Sequence, residues 1–480
     1  MLFSLMSKKD SMTFFAVIPF TMWFFKDASI KKIGLIFLSF LFPRFVFNLA
    51  SKHAMFLAKK VMIGAVSMTN ENGITRKFQL WENPFYHGST FFERIPTGFY
   101  CIYFYLKMFF IPHPLISYYG YNQIPIAHWS DPIVWIVIIL LCLAGYYIVR
   151  NFKSKNIVVY GISYFLITIS MFTNVLVPVV GIVGERFSYI PSLGLCIVAV
   201  WGLLKFFKVS LKNSDFKFPP LSNAFVVVVV LITLVYGGRS FARIPAWKDS
   251  YTLYATDIVN ATESAHENSL IAAASVQKVK ESPGMSIEEK RFYVSNAVKY
   301  YQEAIRIIPT YTSSLNNLGM LYYTYYNKPE VSIPYLKKAI TLDTNYVEAY
   351  FNLATCEAKS GKKVDAEKHY LKLLSIDPKF MEGYVSLSAM YAEDKQYGKI
   401  LKINQNAINN GIVADILPIN IGNVYYMQGD TLKAVSYLEK GIEINPNNRF
   451  LNSYLANYYK DKGDLDKANH YYDLMGRSTR

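Results

Sequence analysis

The pattern of apolar and polar positions changes near residue 245 of this 480-residue chain, where long apolar runs give way to amphipathic helical periodicity. A helix needs about 20 apolar residues to cross a hydrocarbon core. Four runs reach that length, or nearly reach it with their flanks, at 133–149, 158–177, 193–207 and 224–236. Shorter or interrupted runs are further candidates, at 12–25, 33–50 and 99–111. The pattern predicts six or seven membrane segments.

Basic residues orient these segments. Three short loops carry clustered Lys and Arg, and they are 26–32, 150–155 and 205–217. Residues 112–132 contain neither residue type. Because cytoplasmic loops of membrane proteins carry the excess of Lys and Arg, we expect the three basic loops in the cytoplasm. The segments around Tyr119 and Glu185, and everything after Tyr236, are then external.

The sequence leaves two paths for the segment 94–112. If 33–50 exits outward and 133–149 returns inward, residues 51–132 begin and end outside. The segment 94–112 is then re-entrant or lies in the interface, which its aromatic residues tolerate. The alternative is a true span with 51–93 inside, which is favoured by Lys52, Lys59 and Lys60.

A 34-residue repeat organises the chain from Ala349 onward. The clearest copy combines small and large apolar positions in two helices that end at a proline: Ile421, Gly422, Tyr425, Ala434, Leu438, Gly441 and Pro446. The next copy has Leu455, Ala456, Tyr459, Ala468, Tyr472 and Met475, and a copy two units before the clearest one has Leu353, Ala354, Ala366, Tyr370, Leu373 and Pro378. Weaker copies contain Leu387, Tyr391 and Ala407; Leu318, Gly319, Tyr322, Tyr335 and Ala339; and Ala297, Tyr301, Ala304 and Pro309, the last paired with a helix over 265–279.

Such a period, with small residues where helices touch and large residues in the groove between them, is typical of tetratricopeptide repeats. We therefore predict an all-α protein, a polytopic transmembrane helical bundle followed by a tetratricopeptide α-solenoid. The membrane domain is placed at 1–244, a linker at 245–263 and a solenoid of about six units at 264–480. Repeat tyrosines such as Tyr425 are expected in the core, and the concave surface offers a groove for an acceptor or partner protein.

Composition argues against several other functions. The formal charge is +16, but no run of Lys and Arg exceeds two residues, so we expect no nucleic-acid binding. The four cysteines are far apart, and the seven histidines show no metal-ligand spacing. We predict no disulfide framework and no cofactor, and no residue pattern indicates a site for a divalent metal, which stays open.

Three constellations on the expected external side have the residue types for chemistry. In the first, Glu185 and Arg186 stand between two apolar runs. Charged side chains next to a bilayer are costly in free energy unless they pair with each other or serve a function. The alternative to a functional pair is that Arg186 extends to the lipid headgroups and Glu185 is merely solvated. The second contains Asn83, Glu93 and Arg94. The third is an aromatic loop with Tyr118, Tyr119, Tyr121, Trp129 and Asp131, which reads as an interfacial belt or, less favoured, as a sugar-stacking platform.

At these residues the chain resembles a family of multi-spanning membrane glycosyltransferases. The family signature is matched by Glu185, Arg186, Tyr189, Ile190, Pro191, Ser192, Leu193 and Gly194. This signature is similar to that of O-mannosyltransferase-like proteins of the GT-C type, which carry tetratricopeptide repeats after their last span. Three further matches follow in the family's order: Ser7 to Lys9; Asn83 and Pro84 with Arg94; and Arg243 with Trp247 and Asp249.

The resemblance implies transfer of a sugar from a polyprenyl-phosphate donor in the membrane lipid to a Ser or Thr of an acceptor protein. Such transfer needs a carboxylate base and cations that stabilise the departing phosphate. The candidate contacts to lipid phosphate or sugar are Glu185, Arg186, Arg94, Lys8, Asn83 and Tyr189. We expect Arg186, Arg94 and Lys8 to contact phosphate and Glu185 to orient Arg186. No catalytic residue is assigned.

Two departures from the family bear on activity. Its catalytic acids belong to an external loop several spans before Ser7, whereas MLFSLMSKKD reads as the end of a helix whose beginning is missing, without the features of a secretion signal. Lys9 stands where the family has Glu, and Tyr118 where it commonly has Asp. Either the chain is a fragment of a longer product or it has lost the catalytic loop, and we expect the chain by itself to be inactive.

Two functions remain open. The first is the membrane part and repeat domain of a protein O-glycosyltransferase of mannosyltransferase type, whose solenoid recruits the acceptor. The alternative is a non-enzymatic, membrane-anchored repeat scaffold for envelope proteins. In either case we expect a multi-pass protein of a bacterial inner membrane, with the repeats on the periplasmic side. The sequence identifies neither the sugar, the lipid carrier nor the acceptor.

Overall fold

A computed structural model describes residues 13–26, 80–86, 89–176, 178–179, 181–209 and 222–477. The chain divides into two compact units, Met1–Pro309 and Thr310–Arg480. Each unit is treated by itself below. The regular structure of the described residues is helical, with two isolated β-bridges, which confirms the predicted all-α class. The predicted domain limits, 1–244, 245–263 and 264–480, remain a prediction.

The first unit contains nine α-helices in its described part. They are α1 (Phe14–Lys26), α2 (Phe91–Phe110), α3 (Pro132–Asn151), α4 (Ile157–Ile169), α5 (Glu185–Phe206), α6 (Asn223–Arg243), α7 (Ser250–Asp257), α8 (Ala265–Glu281) and α9 (Ile287–Ile307). Pairing of α8 with α9 confirms the helix pair predicted to open the repeats, with Ala297, Tyr301 and Ala304 buried.

Three helices in the described residues are long and apolar enough to cross a membrane: Pro132–Ser154, Glu185–Phe206 and Asn223–Lys248. Shorter apolar helices, Ala16–Lys26 and Ile157–Phe172, correspond to the runs at 12–25 and 158–177. The run at 33–50 lies outside the described residues. Pro132 at the first position of α3 and the Ser222 side chain that caps α6 explain where two of these helices begin.

Two glycines set the closest helix contact of the bundle. A Cβ on Gly161 of α4 would lie 2.7 Å from the carbonyl oxygen of Gly194 in α5. A Cβ on Gly194 would meet the backbone of α4 in return. Gly194, the last residue of the signature motif, is therefore a packing residue, because only glycine lets the two backbones approach so closely.

The helix α2 begins and ends at one face of the bundle. Near its start, the Thr97 hydroxyl accepts a hydrogen bond of 2.9 Å from the Ala127 amide, just before α3. Near its end, the Phe109 carbonyl accepts a bond of 2.7 Å from the Tyr236 hydroxyl in the second half of α6. Because successive helices cross the bundle in opposite directions, the start of α3, the start of α5 and the end of α6 lie on one face. The geometry therefore favours the interfacial path for 94–112 over a true span.

Contacts at the basic end of the bundle agree with the helix orientation that the charge pattern predicts. The Lys155 ammonium, in the turn between α3 and α4, donates to the Trp23 carbonyl near the end of α1 over 3.0 Å. The Thr21 and Tyr160 hydroxyls hydrogen-bond over 2.9 Å and join α1 to α4. Thus Lys26 and Lys155 share the face opposite to Glu185, as the charge pattern predicted.

The second unit is a series of five antiparallel helix pairs. Its helices are α10 (Thr312–Tyr326), α11 (Pro329–Leu342), α12 (Val347–Lys359), α13 (Lys363–Ile376), α14 (Met381–Glu393), α15 (Tyr397–Asn409), α16 (Ile416–Met427), α17 (Thr431–Ile444), α18 (Arg449–Asp461) and α19 (Leu465–Arg477). Most of the predicted signature positions are buried, among them Leu353, Ala354, Leu387, Ala407, Ile421, Ala434, Leu455 and Ala468.

One signature position was placed a residue too late. Tyr472 was expected in the core of the last repeat, but its side chain is 38% exposed, whereas Tyr471 is 8% exposed. Tyr471 stacks on Tyr459 with ring centroids 5.9 Å apart. This repeats the stacking of Tyr437 on Tyr425 at 5.6 Å. The tyrosine pair that joins the two helices of one unit therefore recurs 34 residues later, in the last repeat.

Candidate functional site

The end of the bundle opposite the basic loops gathers three acids around the aromatic loop. The Glu185 carboxylate, at the start of α5, accepts a hydrogen bond of 2.6 Å from the Tyr119 hydroxyl. That hydroxyl also receives the Ile116 amide at 3.0 Å. Burial, and then the negative charge of Glu185, raise the pKa of Tyr119. The phenol is thus held neutral as the donor that satisfies Glu185.

The other two acids enter from α7 and α8. Asp257, fully buried, accepts the Ser117 amide at 2.6 Å and pairs with Arg243 at the end of α6. Glu267, also fully buried, lies 3.3 Å from the Ser117 hydroxyl, and its second oxygen has no hydrogen-bond partner among the described residues. Burial, and then the charge of Asp257, raise the pKa of Glu267 to about 8. We call Tyr119, Glu185, Arg243, Asp257 and Glu267 the acid cluster.

Tyr118 connects the same loop to three other segments. Its hydroxyl lies 3.3 Å from the Glu82 carbonyl, and its ring centroid is 4.3 Å from that of His266 in α8. A Cβ on Gly181 would lie 3.0 Å from the Tyr118 ring, and Gly181 has φ +82. Tyr118, which stands where the resembled family commonly has Asp, therefore serves as a packing residue here.

Arg243, Trp247 and Asp249, matched as one motif, have separate positions. Arg243 belongs to the acid cluster, whereas Trp247 is exposed. Asp249 caps α7 by accepting the Thr252 amide at 2.8 Å and pairs with Lys278 of α8 at 2.9 Å. These contacts hold the pKa of Asp249 below its usual range. The motif thus fixes the turn from the last membrane helix into the first helix pair.

Arg186 and Tyr189 are exposed on the first turns of α5. The Arg186 guanidinium lies 4.7 Å from the ring centroid of Phe187, and Tyr189 is 83% exposed. The expectation that Glu185 orients Arg186 is wrong in this structure, since Glu185 is bonded to Tyr119. Consecutive residues on a helix point in different directions, so neighbours in sequence do not face each other.

The remaining candidates do not converge on Arg186. Asn83 is fully buried, and its amide donates to the Asn174 side chain at 2.8 Å and the Val179 carbonyl at 2.7 Å. Both amide hydrogens are therefore used to hold the segment before α5. Arg94 lies in the first turn of α2, and its Nε is buried without a partner among the described residues. Lys8 lies outside the described residues.

An apolar groove opens between α5 and α6. Its volume is about 790 Å³, and its floor is formed by the end of α2 and by Phe165 of α4. Representative lining residues are Leu195, Ala199, Leu203, Val229, Ile232 and Tyr236. The lining of α5 begins at Ser188, one turn after Glu185, so the groove runs from the acid cluster toward the middle of the spans. None of the residues of α6 is buried, which leaves this side open to lipid.

A second cleft, of about 450 Å³, lies in the solenoid between α14 and α16. Ile400 and Met427 contribute apolar surface, and Asn420 and Asn423 contribute carboxamides. Lys395 is the only charged residue that lines it. A carboxamide both donates and accepts hydrogen bonds, so the cleft suits the main chain of an uncharged peptide.

Sequence reasoning missed Ser117, Asp257 and Glu267. They carry no motif, and Ser117 and Asp257 are 140 residues apart. A signal was present only in hindsight: Asp257 and Glu267 are acids in segments that otherwise read as linker and amphipathic helix. Within the described parts of the chain, no group of three or more His, Cys, Asp and Glu side chains is placed to hold a metal ion.

Comparison with known proteins identifies one matching family model and several relatives. Residues 347–380 and 419–448 match the family model of the tetratricopeptide repeat. Human protein O-mannosyl-transferase TMTC3 is 24% identical over 256 residues, which cover 49% of this chain and 26% of that protein. Drosophila melanogaster Tmtc3 is 21% identical over 251 residues, 49% of this chain and 25% of that protein. The chain thus spans about a quarter of the length of these relatives.

A solved structure with similarity is the C-terminal part of a tetratricopeptide-containing protein from Cytophaga hutchinsonii. It is 15% identical with a TM-score of 0.39 and covers 48% of this chain and 89% of that chain. The homologues of this chain are the TMTC3 and TMTC1 protein O-mannosyl-transferases. With its apolar helices, the chain is a multi-pass membrane protein with a tetratricopeptide domain.

Proposed function

We propose that this chain provides the donor-lipid site and the acceptor-recruiting repeats of a protein O-mannosyltransferase that uses a polyprenyl-phosphate sugar. The observation that carries the proposal is the apolar groove between α5 and α6, which is open to lipid and ends beside the acid cluster. A long apolar tail fits the groove, while a sugar phosphate would remain at the polar end. The homology to protein O-mannosyl-transferases supports the same assignment.

Arg186 is the proposed phosphate contact from the sequence motif. It is exposed in the first turn of α5, two residues before Ser188 of the groove. A guanidinium offers paired donors that match phosphate oxygens. Tyr189 and Arg94 remain proposed contacts on the same face, whereas Asn83 would act by holding the segment before α5. Lys8 remains a proposed contact from the sequence motif alone.

We propose that the base that accepts the proton of the acceptor hydroxyl lies outside the three clustered acids. Glu185 is bonded to Tyr119, Asp257 is paired with Arg243, and Glu267 is fully buried. A general base must reach the hydroxyl that it deprotonates. Sugar and acceptor would therefore meet outside the acid cluster, whose part is to hold the aromatic loop against α5.

The solenoid is the proposed acceptor site, with an extended polypeptide in the cleft of Asn420 and Asn423. This requires the repeats and the groove mouth on one side of the membrane. We assign that side to the periplasm of a bacterial inner membrane, in line with the basic loops at the other face.

The test measures O-mannosylated protein in cells whose gene is deleted or carries Arg186→Lys. Deletion is expected to remove the glycan, and Arg186→Lys to lower it at least ~10-fold, because a Lys point charge does not replace a bidentate fork. Arg150→Lys, in the last turn of α3 at the opposite end of the bundle, is the matched control and should retain the wild-type level.

An unchanged glycan after deletion would refute the transferase proposal. If deletion left glycosylation intact but removed the same envelope proteins from a pull-down with the repeats, the scaffold alternative would replace it. Protein levels measured in each strain separate a loss of function from a loss of the protein.

A further inference from the structure

An arginine–histidine pair continues the two walls of the groove at its polar end. Val229, Ile232, Thr233 and Tyr236 line the groove from α6, and Arg239 follows Tyr236 by three residues on the same helix face. On the other wall, Phe109, Phe110 and Pro112 line the groove and His113 follows. The Arg239 Nη2 and His113 Nδ1 atoms are 3.3 Å apart.

Tyr236 fixes the separation of these walls. Its hydroxyl donates to the carbonyl oxygens of Phe109 and Phe110, at 2.7 and 3.1 Å. Both carbonyls belong to the last turn of α2, whose final residues have no helical donor of their own. The bonds therefore hold α6 against the end of α2 directly below Arg239 and His113.

The chemistry of the pair leaves donors free. Arginine can only donate, so Nδ1 of His113 accepts and the ring proton is on Nε2, which is then a donor. Both side chains are exposed. Arg243, one turn further, is neutralised by Asp257, whereas in the described part of the chain no carboxylate pairs with Arg239. A free guanidinium fork next to an imidazole donor matches a phosphate monoester.

We propose that Arg239 and His113 bind the phosphate of a polyprenyl monophosphate whose tail lies in the groove between α5 and α6. This inference rests on the proposed function for the choice of lipid, but it concerns binding and not transfer. The occupant is a single-chain anionic lipid because the groove is apolar along its length and meets the Arg239 guanidinium and the His113 donor only at one end.

The test uses the full chain in lipid nanodiscs and three probes: a polyprenyl monophosphate, the polyprenol of equal length, and inorganic phosphate. The lipid phosphate is expected to bind at least ~10-fold more tightly than either of the others. Arg239→Gln should weaken the lipid phosphate by about 10- to 100-fold, as loss of charge-assisted hydrogen bonds does, and should leave polyprenol unchanged. Arg150→Gln, on the opposite face, is the matched charge control.

A second variant tests the groove and leaves Arg239 and His113 unchanged. Thr233→Trp fills the lining and should weaken both polyprenol and polyprenyl phosphate, while Val230→Trp, exposed on the same helix but outside the lining, should weaken neither. Melting temperatures of the variants in nanodiscs confirm that each is folded.

Several results would overturn the proposal. Equal affinity for polyprenol and its phosphate, or full binding by Arg239→Gln, would show that Arg239 and His113 do not bind the lipid phosphate. If inorganic phosphate bound as tightly as the lipid and Thr233→Trp had no effect, Arg239 and His113 would form an anion site that is independent of the groove. Specific lipid binding together with an unchanged glycan after deletion of the gene would leave this inference standing and refute the transferase proposal alone.

Discussion

Glu267 shows how the tertiary environment changes the chemistry of a single residue. It is buried against Ser117 of the aromatic loop, Asp257 and Tyr254 of α7, and Arg243 of α6. Arg243 is already paired with Asp257, so a further negative charge on Glu267 would have no counterion of its own. A buried carboxyl in this position keeps its proton, because burial penalises the charged form.

We predict that the first unit loses stability as the pH rises from about 5 to 8. The folded pKa of Glu267, about 8, exceeds its ordinary value, so the folded state binds the proton more tightly than the unfolded state. The stabilisation is complete below the ordinary pKa and is lost as the pH approaches the folded one. Its size is roughly 2–4 kcal/mol. Melting temperatures of the full chain in nanodiscs across this range provide the measurement.

Glu267→Gln provides the control, since glutamine has the shape of the neutral acid without its titration. The variant should have a flatter pH profile than wild type and a higher melting temperature at pH 8. Glu263→Gln, an exposed acid that pairs with Arg306, should leave the profile unchanged. Parallel profiles for wild type and Glu267→Gln would contradict the assignment.

Two glycines of the solenoid differ in how closely neighbouring atoms surround them. Gly422 in α16 occupies a helix contact, where an added Cβ would lie 2.9 Å from a Leu438 methyl and 3.1 Å from the Ala434 carbonyl oxygen. Gly398, in the first turn of α15, has nothing within 4 Å of such a Cβ. Equivalent positions in other repeats carry Ala354 and Ala456, so the restriction at Gly422 comes from its particular neighbours.

The same substitution is therefore predicted to have opposite effects at the two positions. Gly422→Ala should destabilise the second unit by about 1–2 kcal/mol through overpacking. Gly398→Ala should stabilise it by up to ~1 kcal/mol, because alanine favours the helix and meets no neighbour. Urea denaturation of residues 310–480, followed by circular dichroism, measures both. A stabilising Gly422→Ala would show that Leu438 moves aside freely.

At the scale of the whole molecule, the path of α2 decides the number of membrane crossings. Its bonds to Ala127 near the start and Tyr236 near the end place both ends at the face of the acid cluster. The tyrosines at 100, 103 and 105 and the basic Lys107 agree with a helix that lies in the interface. The run at 99–111, counted as a possible membrane segment, then adds no crossing.

Cysteine labelling is predicted to find both ends of α2 on one side. Phe92→Cys and Ile111→Cys, both at exposed positions, are introduced singly into a variant whose four cysteines are replaced by alanine. A membrane-impermeant maleimide should label both from the external side of intact cells. Ser154→Cys, in the turn between α3 and α4, should react only after the membrane is opened. Labelling of positions 92 and 111 from opposite sides would establish a true span.

The sequence by itself determined the all-α class, the apolar helices and the 34-residue repeat. These properties depend on consecutive residues: helix length on an unbroken apolar run, and repeat register on spacings that recur within one unit. For the same reason, the burial of Leu353, Ala434 and Leu455 was predictable without any knowledge of the rest of the chain. The one-residue error at Tyr472 arose at the second helix of the last repeat, where two adjacent tyrosines satisfy the pattern almost equally.

Only the tertiary structure decided which polar groups meet. Glu185 was expected to act on its neighbour Arg186, yet its partner is Tyr119, 66 residues away, and Ser117 meets Asp257 across 140 residues. Arg239 and His113, which the motifs did not single out, become neighbours only because Tyr236 holds α6 against the end of α2. Partners at such distances along the chain follow from how helices pack, and the local patterns of residues that make each helix do not encode that packing.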